Sequence, residues 1–259
     1  MSRRTRLALF AIAGPGLAAV MLIGMHGMPA FGDYHGVYGL LLNKIAVPHT
    51  HATDIVTALN FDIRAFDTLG EEFILFGSTA GVALLLRKLR HESEDPGGGH
   101  GIDSHVFADA SAGLQLTSLA LIPILITLGC YVVIHGAITP GGGFQGGIVL
   151  AAGPLAILVG ARILAMRRLS PEWALEASDA IGAAGYALIG MAGLVIASVY
   201  LKNFLPRGTP AMLLSAGMIP LNSVAVGLEV TGAFLVVWTE FLDQQLIAQR
   251  QREPGRESQ

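Results

Sequence analysis

Six stretches of the chain are apolar over about the 20 residues that a helix needs to cross the hydrocarbon of a bilayer. They cover residues 7 to about 28, 67–86, 114–134, 141–161, 181–201 and 221–239. The first follows "MSRRTR" and resembles a secretory signal only superficially. Its apolar run is about 20 residues, where a signal has about 7–15, and "GMHGMPAFGDY" offers no A-x-A cleavage site. It reads as a retained span. The pattern predicts an all-α membrane protein.

Composition agrees, with 53% of the 259 residues hydrophobic and 14% charged, where a soluble domain carries about 25% charged residues. The net charge of −3 says little, because its distribution matters more than its sum in a membrane protein. Basic residues gather in "SRRTR", "RKLRH" (87–91), Arg162 with Arg167 and Arg168, and the tail "QRQREPGR". With six spans all of these fall on one side, leaving Lys44, Arg64, Lys202 and Arg207 on the other. The basic side is the cytoplasmic one, so both termini are expected there. Nothing suggests nucleic acid as a partner. Cys130, the single cysteine, excludes an intrachain disulfide and reads as a small buried hydrophobe.

A polar, glycine-rich stretch, "HESEDPGGGHGIDSH" (91–105), separates two spans from four. The expected organisation is a two-span module at 1–90, a flexible linker at 91–110, a four-span module at 111–245 and a tail at 246–259. A metal site from His91, His100 and His105 is disfavoured. So is one from His49 and His51 with Asp33, His35 and Asp54, where a solvated loop is expected. No haem, cluster or metal ligands are set out in the chain, and no cofactor is expected.

Charges inside the spans carry the candidate chemistry. Between Glu72 and Arg87 lie fourteen uncharged residues, about 21 Å of helix against a hydrocarbon core of about 30 Å. Asp67, Glu71 and Glu72 must therefore sit at or below the headgroups. Arg64, Asp67 and Glu71 share one helical face at i, i+3 and i+7. Two carboxylates there repel each other when both are charged, so such a pair can exchange a proton for a cation. The alternative is a structural anchor, with Arg64 neutralising Asp67. Glu229 stands near the middle of "PLNSVAVGLEVTGAFLVVW", where an acid costs about 2.5–3.5 kcal/mol to insert. Either it belongs to an ion path or it makes an interhelical hydrogen bond. Asn222 lies seven positions back on the same face, and Pro220 is expected to open the backbone near it. Glu240 and Asp243 read as interfacial surface charges.

The run "HGAITPGGGFQGGIVLAAG" (135–153) places five glycines in seven positions. Gly141, Gly143 and Gly146 fit the dinucleotide fingerprint G-x-G-x-x-G, but the preceding apolar run is too long for a strand and no acid follows at the required distance. The glycines are instead expected inside the fourth span, behind a cap formed by Thr139 and Pro140. Gly142 with Gly146, and Gly143 with Gly147, have the spacing that lets helix backbones touch. The small-residue span "IGAAGYALIGMAGLVIAS" is their natural partner. Phe144 and Gln145 are the only side chains on this bare surface, and Gln145 needs a hydrogen-bond partner. Packing is one role for the run, and part of an ion path is the other.

This run resembles the signature of the MnhB family, a membrane component of Mrp-type multisubunit sodium/proton antiporters, and of its counterpart in membrane-bound hydrogenase complexes. The likeness spans about residues 111–245. "NFDIRAFDTLGEEFILFGSTAGVALLL" (60–86) resembles the C-terminal helices of the large MrpA component of the same antiporters, so the chain looks like a fusion of two adjoining pieces of one complex. The resemblance implies that Glu71, ending "DTLGE", is linked to cation transfer, and that the glycine motif corresponds to Gly141 to Gly147. It further implies a non-catalytic component in a bacterial or archaeal cell membrane, with the other Mrp components (A-, C-, D-, E-, F- and G-like) as partners. Sodium ions and protons would be the transported ions. Six spans with few charges offer no complete proton relay, so a larger assembly is expected. A hydrogenase-type redox complex is the alternative host.

Overall fold

The computed structural model describes residues 3–28, 32, 35–93, 111–159 and 170–252. Asp33, His100, His105, Arg162, Arg167 and Arg168, with most of the expected linker and the end of the tail, lie outside the described residues. The described elements are helical. Residues 1–41 and 42–259 form two compact units. In the first, α1 (Arg3–His26) is apolar, and none of its spanning window is buried.

In the second unit the chain continues from the end of α2 (Val37–Thr50) through the short α3 (Ile55–Ala58) and a π-helical turn (Leu59–Ile63) into α4 (Ala65–Ser93). Next come α5 (Ala112–Ile134), α6 (Gly143–Val159), α7 (Glu172–Ala197) and α8 (Ile219–Arg252). Among the described residues five helices are long and apolar enough to cross a membrane, and α6 is a shorter apolar helix. The protein is thus a multi-pass, all-helical membrane protein. The fifth span begins at Glu172, nine residues before the expected position, because Asp179 lies within the helix rather than ahead of it.

One helix organises the rest. Of the spanning window of α8, 61% is buried, against 17% for α4 and α5 and 28% for α7. Close contacts show that α4 and α6 run with α8, while α5 and α7 run against it. Pro220 occupies the first turn of α8, where a missing N–H breaks no helical bond, so it does not open the backbone as expected. Glu240 and Asp243, expected at the surface, are buried on α8 at 3% and 6% exposure. Cys130 is exposed on α5, correcting the expectation of burial. A lipid-facing helix side is as apolar as a core, so hydrophobicity alone does not reveal which way it points.

The segment before α4 is more structured than a solvated loop. Asp54 caps α3 by accepting from Thr57 N at 3.2 Å. Thr53 N and Asp54 N both donate to Ala137 O, and Thr53 Oγ1 donates to Ile138 O at 2.6 Å. This segment is therefore fastened to the turn after α5. His51 Nδ1 lies 2.6 Å from Gly208 O, joining it to the loop between α7 and α8.

That loop is held by Asn203. Its Nδ2 donates to Ala216 O at 3.0 Å, and its Oδ1 accepts from Met218 N at 3.1 Å. Alanine at position 203 would orphan Met218 N, at about 1–3 kcal/mol, and leave Ala216 O with Ile219 N alone, at 3.3 Å. The thermal midpoint of the purified protein is expected to fall by roughly 5 °C, at about 2–4 °C per kcal/mol. An unchanged midpoint would show that the loop is held by other means.

Candidate functional site

The glycine run divides into two jobs. Gly141 and Gly142 have φ of 153° and 112°, a region that side chains avoid. They form a turn, not a helix, and α6 begins only at Gly143. Thr139 and Pro140 accordingly do not cap the span; they lie in the preceding turn, where Thr139 N donates to His135 O at 2.9 Å. The turn is tight enough that a Cβ on Gly136 would fall 2.6 Å from Gly142 Cα.

Gly143, Gly146 and Gly147 make the helix contacts. A Cβ on Gly143 would lie 2.4 Å from Ser223 O, and one on Gly147 would lie 2.9 Å from Gly227 O, both on α8. A Cβ on Gly146 would lie 2.8 Å from Val133 N on α5. The partners are therefore α8 and α5, not the small-residue span that composition had suggested. Composition marks a helix as able to approach closely, but the chain's path decides which neighbour it meets.

The turn also lines a cleft of about 400 Å³. Its walls include Gly141 to Gly143, Phe144 and Gln145 on one side, and Asn60, Thr68 and Glu71 on the other. Thr68 Oγ1 donates to Asn60 O at 2.7 Å, which secures the π-helical turn beside the start of α4. A cation carrying about six waters fills roughly 200 Å³ at ~30 Å³ per molecule, so the cleft is wide enough for one. Glu71 and Gln145, 74 residues apart in the chain, face the same space.

Glu72 points elsewhere. Successive helical residues are turned by about 100°, so Glu71 is exposed beside the cleft while Glu72 is 1% exposed inside the bundle. There it faces Glu229 of α8, which is fully buried. None of the four carboxyl oxygens has a regular hydrogen-bond partner among the described residues. Asn222 is fully buried on α8, and both ends of its amide lack partners too. Asp67 lies apart from this arrangement in character. It sits in the first turn of α4, about half exposed, in an ion pair with Arg64. That is the position where a helix dipole favours an acid.

Asp179 was not found by reading the sequence. It is 4% exposed on α7 and stands within electrostatic reach of both Glu72 and Glu229. Its position eight residues after Pro171 marks it as internal to the helix only once the helix start is known.

Fold and site together define a membrane protein whose helical bundle buries carboxylic acids in its interior. Residues 114–236 match the family described as a domain related to the MnhB subunit of Na+/H+ antiporter. An uncharacterized protein from Methanocaldococcus jannaschii is 33% identical over 222 residues, covering 75% of this chain and 81% of its own. A chain from the membrane-bound sulfane sulfur reductase, an archaeal respiratory membrane complex, superposes with a TM-score of 0.70 at 26% identity. That match covers 93% of this chain and 99% of the other. A chain of the Mrp complex from Dietzia sp. gives a TM-score of 0.69 at 26% identity, covering 93% of this chain and 26% of the larger one. The chain belongs to the MnhB-related family, and it is related to subunits of both an antiporter and a respiratory membrane complex.

Proposed function

We propose that this protein is a non-catalytic membrane subunit of a multisubunit sodium/proton antiporter in a bacterial or archaeal cell membrane. It contributes packed helices and part of the ion path. The observation that carries this reading is the splitting of two adjacent acids. Glu71 opens onto a polar cleft, and Glu72 is sealed in the interior against Glu229. A hydrated cation fits beside the first, while only a bare proton fits beside the second. Antiport needs two such environments close enough to sense each other's charge, and neighbouring residues on one helix supply that. Gln145 offers an uncharged amide to ions in the cleft.

A second reading has its own support. The match to the sulfane sulfur reductase runs over 99% of a chain of similar extent, which supports a membrane subunit of a redox-driven complex. Purifying the complex through this chain and identifying its companions separates the two. Antiporter subunits alone favour the first reading, and redox subunits the second.

The test of the site is Glu71→Gln in the assembled complex. Cation-linked proton movement is expected to fall at least tenfold with assembly unchanged, because the amide keeps the shape of the cleft wall and removes its charge. Full exchange by an assembled variant would discard Glu71 as part of the path.

A further inference from the structure

Asp179 is placed by a reciprocal contact between α7 and α8. The two helices run antiparallel and each carries an acid followed three positions later by glycine: Asp179-Ala-Ile-Gly182 on α7 and Glu229-Val-Thr-Gly232 on α8. A Cβ on Gly182 would fall 2.4 Å from Glu229 N, and a Cβ on Gly232 would fall 2.6 Å from Asp179 N. Each acid is thus opposed by the bare glycine of the other helix. Ser178 Oγ, donating to Leu228 O at 2.8 Å, ties the same level of the pair. Backbones this close leave no room for solvent between them, and both carboxyls are carried to one seam together with Glu72 of α4.

Two further groups extend that seam. Asn222 stands seven residues before Glu229, and Thr79 seven after Glu72, so each lies two helical turns along the same face as its acid. Since α4 and α8 run the same way, Asn222 continues the seam in one direction and Thr79 in the other. Asn222 is fully buried and Thr79 is 2% exposed, and neither side chain has a hydrogen-bond partner among the described residues. Tyr186, the other titratable group of α7 at this interface, is committed to Ala65 O at 2.9 Å. Three carboxylates cannot all be charged in one dry seam without a counter-charge. None of the described basic side chains forms an ion pair with them. The burial is too complete for a hydrated cation.

We propose that Asp179 is a proton-carrying residue of this seam, sharing protons with the Glu72 and Glu229 pair and passing them along a file bounded by Asn222 and Thr79. This rests on the ion-path reading above and deepens it by naming the carried species and the third acid. Each step moves one proton from a carboxylic acid to a neighbouring carboxylate. One O–H bond breaks, one forms, and the net charge of the seam is unchanged.

The test uses the whole complex in liposomes, with proton movement driven by a sodium gradient and read by a pH-sensitive dye. Asp179→Asn is expected to assemble normally and to reduce proton movement at least tenfold, with Asp179→Glu restoring a substantial part. The infrared band of protonated carboxyls at neutral pH should weaken in Asp179→Asn. Native proton movement and an unchanged band in Asp179→Asn, beside loss of movement in Glu229→Leu, would overturn the role of Asp179 and leave the ion-path reading standing. Native movement in both variants would overturn both. Should Asp179→Asn fail to assemble, the native complex decides, since absence of a protonated-carboxyl band at neutral pH would also overturn the proposal.

Discussion

Gly143→Val is expected to prevent the protein from assembling in the membrane. The added Cβ would lie 2.4 Å from Ser223 O, 2.6 Å from Val226 Cβ and 2.8 Å from Gly227 N. Two of these atoms are backbone and cannot rotate aside, so α6 would have to leave α8. Overpacking costs about 1–3 kcal/mol even where side chains can shift, and valine adds three carbons where they cannot. Even the upper part of that range is a large fraction of the whole stability of a typical domain, about 5–15 kcal/mol. Gly153→Ala is the control, because its nearest atom, Ile126 Cγ1, is at an ordinary 3.5 Å. It is expected to accumulate at the native level. Equal recovery of both variants from solubilised membranes would contradict the close contact of α6 with α8.

Glu229→Leu is expected to do two opposite things. The carboxyl is fully buried without a regular hydrogen-bond partner, and leucine has nearly the same volume without the polar group. An acid at a helix centre costs about 2.5–3.5 kcal/mol, so the thermal midpoint of the complex should rise by several degrees. Ion exchange should be lost at the same time. Stability surrendered for activity is the signature of a functional site, and packing alone predicts no such pairing. A lower midpoint with native exchange would reduce Glu229 to a structural hydrogen bond.

How much of this was legible depended on the distance over which each cause acts. The spans at 67–86, 114–134 and 221–239 could be read directly, since a run of apolar residues is local and its length is compared with a fixed bilayer thickness. The resemblance carried by the glycine run led to the MnhB-related family for the same reason: a contiguous motif is a local signal. Glu229 stood out because an acid amid apolar neighbours is conspicuous in any reading. Asp179 did not, because "EWALEASDAIG" looks like a polar loop ahead of the fifth span until the helix is seen to start at Glu172. The split of Gly141 and Gly142 from Gly143 could not be read either, since glycine permits both a helix and a sharp turn.

By itself, then, the sequence determined that the chain is a helical membrane protein, that acids such as Glu72 and Glu229 fall within its spans, and where backbones are bare enough to touch. Only the tertiary structure decided that the glycines meet α8 and α5, that Glu71 and Gln145 share a cleft, and that Glu72, Glu229 and Asp179 share a seam. Hydrophobicity and propensity are properties of neighbouring residues, whereas the meeting of acids 157 positions apart is fixed by how whole helices cross and in which direction they run.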